Sequence, residues 1–332
     1  MFCPHPFRRV EIKPDGNAYV CCVNWLPKPI GNVLHDDLLK MWRGSAAREI
    51  RESILDRSFR HCIKCPFLPG PGGPLIPNPP ATLWPEDRIG TLKIDYDQTC
   101  NLACPSCRPA ISNGDPGSQS LTNLDKSHQI HEAVLSSKAL LQADELYVTG
   151  GGDPFASPLY WNFLQHLPDL RHNDNLRIFL HTNGILFNPA HWEQMGPTRE
   201  RVTGVGISID AACERTYQLN RGASWSKLWK NIEFITSLQK TRQTTKRAPI
   251  ELILYFTMQT NNYREVPEFT TLGFDHKANW IAFTPLQNWG TYSPEEYLQR
   301  AIHLPSHPLH EQFLNMLLDP RLRDHRVIMA SK

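Results

Sequence analysis

The chain has 332 residues, 40% of them hydrophobic, and a formal charge of +2 from 35 Lys and Arg against 33 Asp and Glu. That length buries a substantial core and suits two domains or one α/β barrel with an appendage; the near-neutral balance, without Lys/Arg runs or basic-aromatic stripes, predicts no nucleic-acid partner. No window approaches the ~18 apolar residues of a membrane span, and "MFCPHPFRRVEIKPDG" has no apolar stretch behind its basic residues, so a cytoplasmic protein without membrane contact is expected.

Residues 1–70 hold five of the nine cysteines: Cys3, Cys21, Cys22, Cys62 and Cys65. Nine thiols, clustered and odd in number, do not form a secreted disulfide framework, and in a reducing compartment they point to metal or catalysis. Within this stretch "RRVEIKPDGNAYVCC" predicts a hairpin turning at Asp15-Gly16. "HDDLLKMWRGSAAREIRESILD" then predicts helix on both sides of a Gly44-Ser45 break, with Leu38, Leu39 and Trp42 apolar before it and Ile50 and Ile54 on one face after it. Together these make a small cysteine-rich α+β module. Residues 71–90, dense in Pro and Gly, hold neither helix interior nor central strand and are expected to be a linker.

A different rhythm runs from 91 to 290. Six short β-branched runs, "TLKIDYD", "ELYVTGGG", "LRIFLHTNG", "TGVGISIDA", "IELILYFTM" and "WIAFTPL", alternate with helix-like stretches, which predicts βαβ units and a parallel sheet, open or curled into a barrel. Sites in such folds form at the C-terminal ends of the strands, and here those ends carry "DQTC", "GGGDP", "HTNG" and "SIDAA". Residues 291–332 predict packing helices without an evident site.

The stretch "DQTCNLACPSC" spaces Cys100, Cys104 and Cys107 as C-x3-C-x2-C after the first of these strands. Thiolates are soft ligands for zinc or iron-sulfur clusters, and a structural zinc or a fully protein-ligated [4Fe-4S] cube wants four of them. Three close thiols leave one position open. A fragment of a zinc site, or chance core cysteines, is the alternative.

C-x3-C-x2-C at this place resembles the radical S-adenosylmethionine (SAM) superfamily. The resemblance implies a partial TIM-type (β/α)6 barrel in which Cys100, Cys104 and Cys107 hold three irons of a [4Fe-4S] cluster, while the amino and carboxylate groups of SAM chelate the fourth. It implies reductive cleavage of SAM to methionine and a 5'-deoxyadenosyl radical that abstracts a substrate hydrogen, the electron coming from a donor such as flavodoxin or ferredoxin. "YVTGGGDPF" resembles the family's GGE-type turn, implying that Gly150, Gly151, Gly152 and Asp153 face the methionine ammonium. "HTNG" and "GISIDA" also look like the family's sequence. By that resemblance Ser208 and Asp210 face SAM's carboxylate or ribose and Arg221 pairs the carboxylate, with Asn183 among the cofactor-binding residues. Two departures stand out: Asp153 replaces the usual Glu, and Ser106 occupies a position that is aromatic in many members, near the adenine.

Cys3, Gly16 with Cys21 five residues on, and the Cys62-x2-Cys65 pair resemble part of the auxiliary cluster domain called SPASM, or its shorter form, twitch. That implies a second, auxiliary [4Fe-4S] cluster on Cys3, Cys21, Cys62 and Cys65, with Cys22 as a possible substitute for Cys21. Four-cysteine zinc is the alternative, and a module placed before the barrel departs from the family's usual order. Cys213, just past "GISID", is a candidate hydrogen donor to a substrate radical; a small buried hydrophobe is its plainer role. The expected activity is a radical SAM oxidoreductase or epimerase acting on an unactivated carbon of a sugar, aminocyclitol or peptide. A peptide maturase that forms cross-links or epimers is the alternative, and a non-catalytic zinc-bearing scaffold the alternative of a different class.

Overall fold

The computed structural model describes residues 2–63, 65, 68, 78, 80, 88–112 and 121–330, with the backbone alone for 121–124. Of the linker expected over 71–90, residues 71–77, 79 and 81–87 lie outside the described residues, and its last two, Ile89 and Gly90, already belong to a strand of the sheet. Among the described residues ten strands form a mixed α/β fold with a mostly parallel sheet: β1 Arg9–Ile12, β2 Asn17–Tyr19, β3 Gly31–Asn32, β4 Ile89–Ile94, β5 Ala143–Val148, β6 Arg177–Thr182, β7 Val202–Ser208, β8 Glu251–Met258, β9 Trp280–Pro285 and β10 Val327–Met329. Their order is β10-β9-β8-β7-β6-β5-β4-β1-β2-β3. The six β-branched runs of the sequence are β4–β9. The chain divides into two compact units, one of Met1–Thr99, Gly114–Leu180 and Met195–Val202, the other of Cys100–Asn113, His181–Gln194 and Thr203–Lys332.

In the first unit the expected hairpin forms, with β1 and β2 antiparallel and Gly16 at φ +84°, the left-handed conformation glycine takes most readily. β1 also runs parallel to β4, with Val10 opposite Leu92 and Glu11 opposite Lys93, so the hairpin continues the sheet. Alternation sorts the two faces. Ile12, Leu92, Ile94, Leu146 and Val148 are buried to 1% exposure or less, while the half-buried Lys93 and Tyr147 take the other face. The predicted helices are Leu38–Trp42, capped by Asp37 accepting from Lys40 N–H, and Ser45–Leu55, entered at Gly44.

In the second unit β8 alternates buried Leu252, Leu254, Phe256 and Met258 with half-buried Ile253, Tyr255 and Thr257. Phe256 lies 4.9 Å from Phe269 and 5.6 Å from Phe283, ring centre to ring centre. Truncating a buried ring of this kind costs about 3–5 kcal/mol. The tail carries helices Pro294–Arg300, opened by a Ser293–Glu296 capping box, and His310–Met316. It also carries β10, which the sequence does not announce: three residues, parallel to β9, too short to register as a β-branched run.

Candidate active site

In the second unit the three-cysteine loop is pinched at its base by a backbone bridge. Cys100 N–H donates to Ser112 O at 2.5 Å and Ser112 N–H donates back to Cys100 O at 3.2 Å. A tight turn follows, Cys107 N–H at 2.8 Å and Arg108 N–H at 3.0 Å both donating to Cys104 O. Cys100 and Cys104 are buried and Cys107 is exposed.

Donors converge on the sulfurs. Asn183 Nδ2 stands 3.7 Å from Cys100 Sγ and 2.8 Å from Asn101 Oδ1, Arg108 Nη2 lies 3.5 Å from Cys107 Sγ, and Arg221 Nη1 lies 3.6 Å from Cys104 Sγ. Burial alone would lower the pKa of Arg108, yet the surrounding Cys107, Cys100 and Cys104 raise it; Asp210 and Cys104 do the same for buried Arg221. Beside Cys104, the Arg221 Nε and the Tyr217 hydroxyl are buried without a hydrogen-bond partner among the described residues. A loop with three sulfurs, two guanidiniums and an amide fits an anionic iron-sulfur group, because charge-assisted donors compensate the burial of thiolate.

Asp210 is left-handed at φ 62° and 2% exposed. Its Oδ2 pairs with Arg221 Nη2 at 2.7 Å, its Oδ1 accepts Thr257 N–H at 2.6 Å, and its carbonyl accepts from the Asn220 and Asn262 amides. Ser208 Oγ lies 2.9 Å from His181 Nε2, and His181 stacks on Tyr255 at 4.5 Å. Asn183 Oδ1 accepts Ile185 N–H across Gly184, which sits at φ +81°. The second unit thus gathers Cys100, Cys104, Cys107, Asn183, Asp210 and Arg221 by direct contact. Cys213 precedes helix Glu214–Arg221, exposed, its Sγ 3.4 Å from Thr216 Oγ1 and 3.7 Å from Glu265 Oε1.

The same unit holds a cavity of about 200 Å³, not foreseeable from local motifs, lined by Pro105 and Ser106 of the cysteine loop, by Leu219 and Asn220, and by Gln259, Asn261, Tyr292 and Arg300. The Arg300 guanidinium lies 4.8 Å from the Tyr292 ring centre. Gln259 is 3% exposed, and its side-chain amide makes no hydrogen bond among the described residues.

In the first unit, Gly150–Asp153 follows β5 after Thr149, a β-branched residue at φ 106° whose hydroxyl donates to Gly152 O at 3.0 Å. Strain of this sort costs about 1–3 kcal/mol and gathers at functional turns. The glycines are sterically required: a Cβ on Gly150 would meet the Asp95 carboxylate at 2.5 Å, and one on Gly152 would meet Thr99 O at 2.5 Å. Asp153 N–H donates to Thr99 O at 2.8 Å, tying the turn to the residue before Cys100, and the fully buried Asp153 carboxylate accepts Phe155 N–H at 3.0 Å.

The N-terminal thiols are also neighbours. Cys3 packs with Phe2, Phe7 and Ile54, against Phe59 and Cys62. Burial pushes the Cys3 thiol up to about 12, with Cys62 and Cys65 adding to the rise; burial and then Cys65 push Cys62 up to about 11. Cys21 is raised by burial and by Cys3 and Cys22. Cys3 thus interacts electrostatically with Cys21, Cys62 and Cys65, a set of thiols whose softness suits an iron-sulfur group. No three His, Cys, Asp or Glu among the described residues stand close enough to share a single metal ion.

The chain belongs to the radical SAM superfamily, whose family model matches residues 98–268. A second model, SPASM, an iron-sulfur cluster-binding domain, matches residues 3–66. The cofactors are accordingly a [4Fe-4S] cluster with SAM and the auxiliary iron-sulfur cluster of the SPASM domain. The fold resembles that of SuiB from Streptococcus suis bound to S-adenosylmethionine, at 12% identity and TM-score 0.44 over 74% of this chain and 51% of that one. SuiB bound to precursor peptide SuiA aligns at 10% identity and TM-score 0.44 over 99% of this chain and 72% of that one. Native anSMEcpe with bound AdoMet and Kp18Cys peptide aligns at 18% identity and TM-score 0.42 over 72% and 63%. The chain spans about half the length of the first of these structures. No curated protein matches it.

Proposed function

We propose that the protein cleaves SAM reductively and abstracts hydrogen from an unactivated carbon of its substrate, with Cys100, Cys104 and Cys107 as the cluster ligands. The observation that supports this most is the convergence of Arg108, Arg221 and Asn183 on those three sulfurs. When bound, the reduced cluster and SAM supply the electron and the 5'-deoxyadenosyl radical. The chain's residues hold and screen. Arg221 faces the SAM carboxylate, and Asp210, expected to face the carboxylate or ribose, has both oxygens engaged and acts by fixing Arg221; Ser208 faces the carboxylate or ribose; Asn183 orients Cys100. The strained turn Gly150–Gly151–Gly152–Asp153 offers carbonyls to the methionine ammonium, and Asp153 adds negative charge there.

Ser106 offers no ring for the adenine. Tyr292 supplies one in the cavity beside it, backed by Arg300, and Gln259 presents a free amide edge. Cys3, Cys21, Cys62 and Cys65 ligate the auxiliary cluster, a relay for an electron leaving or entering the substrate. A peptide is the substrate class to test first, since SuiB holds a precursor peptide and anSMEcpe the Kp18Cys peptide; the likeness to them is one of fold, and the assay assigns the class.

The test is anaerobic incubation with SAM, a strong reductant and candidate peptides, sugars or aminocyclitols deuterated at carbon, with 5'-deoxyadenosine analysed by mass spectrometry. Deuterium in the nucleoside names the substrate and the carbon. SAM cleavage that persists in Cys100→Ala, or a colourless protein with stoichiometric zinc, would overturn the assignment.

A further inference from the structure

A buried charge network in the first unit leads from the N-terminal module to the glycine turn. β1 and β4 lie side by side, and alternation sends Arg9, Glu11 and Lys13 from one, and Lys93 and Asp95 from the other, to the same face. Glu11, 1% exposed, receives Arg9 Nη2 at 3.1 Å, Lys13 Nζ at 2.5 Å and Lys93 Nζ at 2.9 Å. Lys13 Nζ reaches onward to Asp95 Oδ2 at 2.5 Å, whereas Lys93 Nζ stands 3.6 Å from that oxygen. The other oxygen of Asp95, Oδ1, accepts Gly151 N–H. At the far end burial lowers the pKa of Arg9 while Glu11 above all raises it, with smaller contributions from Tyr147, Cys21 and Cys22.

Buried ion pairs of this kind add little net stability once desolvation is counted, but a broken one leaves a stranded charge. Their use is to fix geometry. Asp95 is 4% exposed and packed so closely on Gly150 that no side chain fits between them. Lys13 is the cation that neutralises it at short range. Without Lys13 the carboxylate has only the more distant Lys93 and is free to turn away from Gly151.

We propose that Lys13 is a positioning residue for the cofactor turn: by holding Asp95 against Gly151 N–H, the N-terminal hairpin sets the shape of Gly150–Asp153 before SAM arrives. The proposal rests on that turn receiving SAM. It makes the SPASM-bearing hairpin part of the cofactor-binding apparatus, separately from any redox role of its cluster.

The test uses the full chain, anaerobically reconstituted, as wild type, Lys13→Met, Lys13→Arg and Asp95→Asn, the last retaining an oxygen acceptor for Gly151. Hydrogen exchange over Gly150–Asp153 is measured without SAM, and the Kd for radiolabelled SAM by equilibrium dialysis, beside iron content and Tm. Lys13→Met is expected to speed exchange at the turn and weaken SAM roughly tenfold, the usual cost of losing a partner one step removed from a ligand, with iron content unchanged and Lys13→Arg restoring most of both. A Lys13→Met protein with lower Tm but wild-type exchange at the turn and wild-type Kd overturns the proposal. If Lys13→Met does not fold, faster exchange and weaker SAM in Asp95→Asn support it, and wild-type values there overturn it. A wild type that binds no SAM refutes the cofactor assignment of the turn, while the exchange data still decide whether Lys13 positions it.

Discussion

Arg221 reaches Cys104, its Nη1 3.6 Å from the sulfur, while its Nη2 holds Asp210 at 2.7 Å. One guanidinium thereby neutralises a buried carboxylate and faces a candidate cluster ligand. The carboxylate in turn uses its second oxygen to hold the backbone of β8 at Thr257.

Removing that guanidinium strands Asp210. Arg221→Met is expected to destabilise the metal-free protein by about 3–5 kcal/mol in a denaturant titration, and Arg221→Lys by less, since an ammonium keeps the charge without the two-armed geometry. After reconstitution, Arg221→Lys should also bind SAM more weakly than wild type. Equal Kd values would remove Arg221 from the SAM site.

The two sets of cysteines should separate by metal content. Cys100→Ala is expected to lose SAM cleavage and part of its iron. Cys62→Ala should lose iron while keeping the visible absorption of the remaining cluster, and the double variant should be colourless. If Cys100→Ala alone emptied the protein of iron, the four N-terminal thiols would not make an independent site.

The cavity beside Ser106 gives a rescue experiment. Tyr292→Ala should raise the Kd for SAM by about tenfold, in keeping with a base-aromatic stack of ~1–3 kcal/mol, and adding Ser106→Tyr should recover part of the loss by restoring a ring from the loop side. No change in Kd for Tyr292→Ala would place the adenine elsewhere.

Burial holds His131 down to about 4 from 6.5, with its Nδ1 2.8 Å from the Tyr96 hydroxyl. The unfolded chain therefore binds a proton near pH 6.5 that the native state refuses until about pH 4. The contribution is complete above pH 6.5 and is lost as pH falls through that window, by roughly 3 kcal/mol in all. Chemical denaturation of the metal-free protein between pH 7 and 4 measures it, and His131→Gln should flatten the slope.

Cys213 precedes its helix without a side-chain cap bond. Cys213→Ser should add one and stabilise the protein by about 0.5–1 kcal/mol. SAM cleavage should be unchanged. Retained cleavage with loss of the epimerised or reduced product would identify this thiol as the hydrogen donor, because a hydroxyl holds its hydrogen atom too strongly to replace it.

The six barrel strands and the two cysteine groups were legible because each is written locally: β-branched runs such as "IELILYFTM", thiols spaced within one loop, a glycine turn after a strand. Features that depend on distant residues meeting were not. Lys13 and Asp95 are 82 positions apart, and nothing in "EIKPDG" says that its lysine will face a strand from the other side of the linker. Tyr292 lies in a tail that read as packing helices, and only the folded chain brings it to Ser106. What stands behind the departure at Asp153 is equally non-local to the motif: a fully buried carboxylate that also closes its own turn at Phe155. The hairpin of β1 and β2 is written in its turn residues, whereas the parallel pairing of β1 with β4 leaves no local trace.

The bridge between Cys100 and Ser112 bears on how the protein is assembled. Both backbone bonds close the cysteine loop with protein atoms alone, so most of the entropy of gathering Cys100, Cys104 and Cys107 is spent during folding. A cluster held by those thiols would meet a loop already closed, with Cys107 as its exposed member.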